Sequence, residues 1–224
     1  MVSNSESNYA KDVARLFTSG RDKSYPKNQL IHYQGDPLNQ IYLIKKGFVK
    51  AYTILDSGDT RTIMFLSKGD IFPLAFSETM QWGEYKIRYF YQSLTEVDLA
   101  VITTSEMEEK IRTDTESLAI YMNYLSASNQ AIMGQLEVMK NKKAIDKVAM
   151  LLPYLVNKAG HKIRPGVYEL DLKLSHQEVA DLSGVTRETT TTLVKQLEKE
   201  KIIDQKRGSW VINLNNLDKY NQAD

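Results

Sequence analysis

Between Leu174 and Leu197 the chain has few shapes open to it. It reads Leu174-Ser175-His176-Gln177-Glu178-Val179-Ala180-Asp181-Leu182-Ser183-Gly184-Val185-Thr186-Arg187-Glu188-Thr189-Thr190-Thr191-Thr192-Leu193-Val194-Lys195-Gln196-Leu197. Ser175, with Glu178 three residues on, forms a capping box that starts a helix. Val179, Ala180 and Leu182 supply an apolar face, and Ala180 is small enough for a second helix to cross closely. Gly184 can take the left-handed conformation that ends a helix. Thr186 is an N-cap for the next helix, which Leu193, Val194 and Leu197 anchor to a core. Two short helices with a glycine corner are expected, in the pattern of a helix-turn-helix.

In that motif the N-terminal residues of the second helix reach base edges in the major groove. Arg187, Glu188, Thr191 and Thr192 are the expected base readers. Arginine suits guanine and glutamate the N4 amine of cytosine. Threonines are poor helix formers, and their hydroxyls and methyls suit phosphates and thymine methyls. Ser175, His176, Gln177 and Thr189 are expected at phosphates. Downstream, residues 201–212 read as a β-hairpin wing, with Lys206 and Arg207 at its tip as further phosphate contacts. The alternative is a plain helical hairpin followed by a β-hairpin, which does not account for an exposed polar face in register.

Upstream, Leu118, Met122, Leu125, Asn129, Ile132, Leu136 and Met139 recur at spacings of four and three, a heptad seam. With Leu118 at d, Asn129 falls at a, where it would pair with its own copy in a parallel dimer. The alternative is an amphipathic helix packed on its own domain, with Asn129 exposed.

Residues from about 25 to 103 read as β-structure. Gln40–Ile44, Phe48–Leu55 and Thr62–Leu66 are apolar and β-branched runs closed by Lys46-Gly47, Asp56-Ser57-Gly58-Asp59 and Lys68-Gly69-Asp70. Turns at this spacing suggest a barrel or sandwich. After the seam, Ala144–Asn157 reads as a helix that Pro153 is expected to kink, and residues 161–171 as a loop with a short strand.

Composition narrows the function classes. Hydrophobic residues at 42% and charged residues at 25% indicate an ordinary folded chain. No apolar run approaches the length of a membrane span, and the N-terminus lacks an apolar signal core, so a cytoplasmic location is expected. The absence of cysteine excludes disulfides, thiolate metal sites and thiol switches. Residues 1–139 hold 14 Lys and Arg against 17 Asp and Glu, whereas residues 140–224 hold 15 against 11. The C-terminal part is therefore the one suited to a phosphate backbone. No paired carboxylates, metal-ligand cluster or nucleophile–base pair stands out, so no enzyme, cofactor or metal is expected.

The residues resemble the cyclic-AMP receptor protein/FNR (Crp/Fnr) family over nearly the whole chain. Ile41 to Lys50 looks like the family's barrel strand pair, and Lys68-Gly69-Asp70-Ile71-Phe72 like the turn entering its ligand pocket. Val185-Thr186-Arg187-Glu188-Thr189 is similar to its recognition-helix motif. The resemblance implies an α+β chain: a cyclic-nucleotide-binding-like β-barrel of double-stranded β-helix (jelly-roll) type over 1–104, a dimerisation helix over 105–140 and a winged helix-turn-helix over 141–224. It also implies a homodimeric transcription regulator that binds a palindromic operator in double-stranded DNA, with RNA polymerase as a partner.

Three departures bear on mechanism. The family's ribose-binding Gly-Glu pair corresponds to Pro73 and Leu74, and Leu74 cannot accept a hydrogen bond. Its phosphate-binding Arg-Ser pair corresponds to Ile87 and Arg88; Arg88 is read either as a displaced phosphate ligand, the cassette before it being a few residues longer, or, in the favoured reading, as a solvated surface residue. Phe72, Pro73, Leu74 and Arg88 mark the expected pocket, whose effector is not identified and is not expected to be a cyclic nucleotide. A haem branch needs an iron ligand, and the three histidines are His32 on a strand, His161 in a loop and His176 in the helical motif. Finally, Thr192 stands where many members carry a guanine-reading Arg. The rival readings are a regulator whose barrel is only a scaffold, and a cyclic-nucleotide-regulated signalling subunit.

Overall fold

The computed structural model describes residues 10–73, 75–76, 86–139, 143–206 and 209–223, and the chain divides into two compact units, 1–130 and 131–224. The first described element of the first unit is a short helix over residues 10–15 (α1). Among the described residues ten strands follow: β1 Arg21–Tyr25, β2 Leu30–His32, β3 Gln40–Lys46, β4 Val49–Ile54, β5 Thr60–Leu66, β6 Ile71–Phe72, β7 Ala75–Phe76, β8 Lys86–Ile87, β9 Phe90–Ser93 and β10 Val97–Thr103. They form antiparallel sheets in the orders β1-β10-β3-β6 and β2-β9-β4-β5, with β7 paired to β8.

The two four-stranded sheets enclose one core. Tyr25, Tyr42, Ile44, Phe72, Leu99 and Val101 from the first meet Val49, Ala51, Leu66 and Tyr91 from the second. This is the expected jelly-roll arrangement. The central strands of the first sheet are buried on both faces. Tyr42 and Ile44 point into the core, while Leu43 joins Val13, Leu16, Phe17, Ile102 and Met107 beneath the helices. Strands covered on both faces read as continuous apolar runs rather than alternating ones. The segment Ile41–Lys50 is not a paired hairpin. β3 pairs with β10 and β6, while β4 pairs with β5 and β9. The chain changes sheet at Gly47, whose φ of 86° and lack of Cβ let the backbone pass against the Glu96 carbonyl.

The expected single helix over 105–140 is two: α2 Thr104–Thr113 and α3 Thr115–Met139. The break has a local cause. Asp114 takes an extended backbone and its carboxylate accepts from the Ser117 hydroxyl at 2.6 Å and from the Glu116 and Ser117 amides at 3.1 Å each. These bonds, led by the Ser117 hydroxyl, hold the Asp114 carboxyl below the ordinary carboxylate range. Asp114 therefore ends one helix and caps the next.

In the second unit α4 Ala144–Ala159 runs as one helix through Pro153, whose side chain is exposed. Residues 161–171 are more ordered than a loop: β11 Gly160–Arg164 and β12 Val167–Leu170 form a hairpin. Then come α5 His176–Ser183, α6 Arg187–Lys199, β13 Ile203–Lys206, β14 Ser209–Asn213 and α7 Leu214–Ala223. The sheet order is β11-β12-β14-β13. Trp210 is fully buried at its centre, and its indole N–H donates to the Leu174 carbonyl at 3.1 Å.

Candidate nucleic-acid interface

The corner between α5 and α6 is built from the caps the sequence carries. The Ser175 hydroxyl accepts from the Glu178 amide at 3.2 Å, and the Glu178 carboxylate accepts from the Ser175 amide at 2.8 Å and its hydroxyl at 2.9 Å. Gly184 closes α5 in the left-handed region at φ 66°, ψ 33°. Thr186 starts α6, its hydroxyl oxygen accepting from the Thr189 amide at 3.3 Å. Val179 and Ala180 of α5 are buried together with Val194 and Leu197 of α6.

With one side of α6 fixed in the core, its other side is set by helical geometry. Arg187, Glu188, Thr192 and Lys195 are exposed, and Thr189 and Thr191 are half-buried. Thr190 is fully buried and its hydroxyl has no hydrogen-bond partner. The four threonines therefore do not act as one polar surface. Thr190 lies four residues before Val194 and shares its core-facing side.

The first turn of α5 is more internally committed than the sequence suggests. Gln177 is exposed and donates to Asp181 at 2.8 Å. His176 lies with its Nδ1 3.0 Å from the Thr191 hydroxyl and its Nε2 3.3 Å from the Gln205 amide nitrogen. Both ring nitrogens thus have partners within the protein, on α6 and β13, which leaves neither free for the phosphate contact expected of His176. Gln205 and Trp210 are the site residues that sequence spacing did not point to, since they reach His176 only through tertiary packing. The Lys206 side chain and Arg207 lie outside the described residues.

In the first unit Phe72 and Pro73 are buried, and Ile87 is 1% exposed within the core. Leu74 lies outside the described residues. Arg88 is exposed, with its Nε 3.2 Å from the Tyr89 hydroxyl and its guanidinium over the Tyr89 ring. Phe72 stacks on Tyr42 at 5.1 Å and on Tyr91 at 5.2 Å, making an aromatic column within the core. Burial pushes the Tyr42 phenol above its ordinary value. Among the described residues no group of three or more His, Asp or Glu converges as a metal site, and no helix is long and apolar enough to cross a membrane.

Along α3, Leu118, Met122, Leu125, Ile132 and Leu136 are all 40% exposed or more, and Asn129 is exposed between them. The Met139 side chain lies outside the described residues.

Residues 22–114 match the cyclic nucleotide-binding domain model and residues 146–220 the Crp-like helix-turn-helix domain model. The chain is 25% identical over 182 residues to the global nitrogen regulator of Nostoc sp., covering 81% of this chain and 80% of that one. It is 26% identical over 180 residues to the nitrogen fixation regulation protein FixK of Rhizobium meliloti, covering 80% and 76%. Its fold is that of FixK2 from Bradyrhizobium japonicum, with a TM-score of 0.69 at 20% identity over 89% of this chain and 96% of the other. With both domains matched in the same order and regulators aligned across them over most of each chain, the chain belongs to the Crp/Fnr family of transcription regulators.

Proposed function

We propose that this protein is a homodimeric regulator that reads a palindromic DNA operator through α6, without responding to cyclic nucleotides. The observation that carries the reading is the face of α6. Arg187, Glu188 and Thr192 stand exposed on its first two turns, while Thr190, Val194 and Leu197 hold the opposite side in the core. A helix fixed in this way can enter the major groove without rearrangement. Arg187 then reads a guanine and Glu188 a cytosine, with Ser175, Gln177, Thr189, Lys206 and Arg207 near phosphates.

The exposed apolar stripe of α3 supports the dimer, because an isolated helix face of this kind is better covered by its copy than by water. A two-fold dimer would place two recognition helices on a palindrome. Three positions support indifference to cyclic nucleotides: Pro73 is buried, Ile87 is in the core, and Arg88 stands outside beside Tyr89. The column of Tyr42, Phe72 and Tyr91 favours a second reading, in which the barrel is a scaffold for dimerisation and polymerase contact and holds no effector. A cytoplasmic location follows from the DNA partner.

Selection of binding sites from randomised duplex DNA tests the reading. The expected result is a symmetric motif with a guanine and a cytosine fixed in each half. Retention of DNA without sequence preference would overturn it.

A further inference from the structure

The contacts of His176 have a consequence for Thr191 that rests on the DNA-reading role of α6. The Thr191 hydroxyl donates to the Arg187 carbonyl one helical turn back, at 2.9 Å. It therefore accepts at its 3.0 Å contact with His176, and the imidazole must carry its proton on Nδ1. Nε2 is then an acceptor, matched by the Gln205 amide nitrogen at 3.3 Å. The chain of donors closes without conflict: Gln205 to His176, His176 to Thr191, Thr191 to Arg187. The imidazole is also held edge-on to Trp210, with ring centroids 6.0 Å apart at 88°. Trp210 is itself fully buried and tied to Leu174. His176 is thus anchored at the junction of α5, α6 and β13.

A threonine in a helix divides between two side-chain rotamers, because its hydroxyl can bond a carbonyl in the preceding turn. We infer that His176 is a positioning residue that selects one of them, so that Thr191 faces DNA with its hydroxyl proton already spent. A threonine held so cannot donate to a base. Guanine presents only acceptors in the major groove, whereas thymine adds a methyl beside its acceptor, adenine adds an amine beside its acceptor, and cytosine offers an amine. The base pair facing Thr191 should then select against guanine on the contacted strand, and the discrimination should come from His176 and not from Thr191 alone. His176 acts through Thr191 and touches no base itself.

The test is binding-site selection with the full chain carrying single substitutions, each checked by thermal melting. His176→Asn keeps a donor near the Nδ1 position, whereas His176→Gln keeps one near Nε2 and loses the contact to Thr191. Thr191→Val keeps the shape and the His176–Trp210 packing while removing the hydroxyl. The expected result is wild-type preference in His176→Asn and continued rejection of guanine in Thr191→Val. His176→Gln should lose roughly fivefold discrimination at one base pair per half-site, the size of a single hydrogen bond. The positions read by Arg187 and Glu188 should be unchanged. In the Thr191→Val background, adding His176→Gln should alter nothing further.

The inference is overturned if His176→Gln melts as wild type and selects the same site, if His176→Asn fails as badly as His176→Gln, or if every position loosens together. Acceptance of guanine by Thr191→Val overturns it even where His176→Gln does not fold. A wild type that selects no sequence overturns it together with the DNA-reading role, and so stands apart from failure of the brace alone.

Discussion

The hydroxyl of Tyr124 accepts from the Ile71 amide at 2.8 Å and donates to the Ile71 carbonyl at 3.1 Å, both within the core of the first unit. One side chain of α3 thereby grips both backbone groups of a residue in β6. The grip sets the rotation of the helix. At about 100° per residue, the stripe of Leu118, Met122, Leu125 and Asn129 lies roughly 120° around from Tyr124. A second tie joins α1 to the start of α3, where Arg15 meets Glu116 at 2.6 Å. Tyr124→Phe keeps the ring and removes both bonds. It should destabilise the chain by about 1–3 kcal/mol, the cost of leaving buried backbone groups unpaired. Chemical denaturation followed by tryptophan fluorescence would read this, and an unchanged midpoint would show that α3 is held by apolar packing alone.

Mass in solution checks the dimer. Wild-type protein should sediment at twice the chain mass, and Leu125→Asp at the chain mass. Leu125 is 42% exposed, so the new carboxylate is solvated in a monomer and desolvated only at the seam. A wild-type monomer, or a dimer that tolerates the charge, would require another use for the stripe.

Arg187 and Lys206 should separate specificity from affinity. Arg187→Ala should relax one base pair per half-site at about 1–3 kcal/mol of lost discrimination. Lys206→Ala should weaken all sequences alike and flatten the salt slope by about one unit per protomer. Selection and affinity measurements at two salt concentrations distinguish the two. The base pair facing Thr192 should be degenerate or prefer thymine, since threonine cannot make a bidentate guanine contact.

Calorimetry with cyclic AMP and cyclic GMP should give no measurable heat of binding. Low-micromolar binding would mean that residues other than those at positions 73, 74, 87 and 88 hold the nucleotide.

His32 gives a pH-dependence with a definite sign. Burial pushes its imidazole below the ordinary value of 6.5, Asp36 partly opposing and Lys23 adding to the shift. Its Nε2 is buried without a hydrogen-bond partner, and the ring packs edge-on to Tyr42. The folded chain binds this proton less readily than the unfolded chain. Stability should therefore fall as pH drops through the unfolded value and level off below the lowered folded one. His32→Gln should flatten the melting profile on the acid side of 6.5. A variant with the wild-type slope would place the titration elsewhere.

The local elements were legible because their causes are local. The Ser175–Glu178 box, the Gly184 corner and the Thr186 cap each act within four residues, and all three form as the sequence implies. The exposed stripe of α3 was legible from its period alone. The break at Asp114 was equally local, but a long apolar period masked it. What the sequence could not show is which partner each face meets. Gly47 marks a turn in the sequence, yet only the close approach of Glu96 makes it a crossing between sheets. Four threonines in a row look alike in the chain. Packing sends Thr190 into the core and brings Thr191 against His176, leaving Thr192 exposed. Caps and periods are written in neighbouring residues, whereas the pairing of His176 with Thr191 and Gln205 joins positions 15 and 29 residues apart. That pairing exists only once the buried Trp210 and the apolar side of α6 have fixed where the two helices and β13 meet.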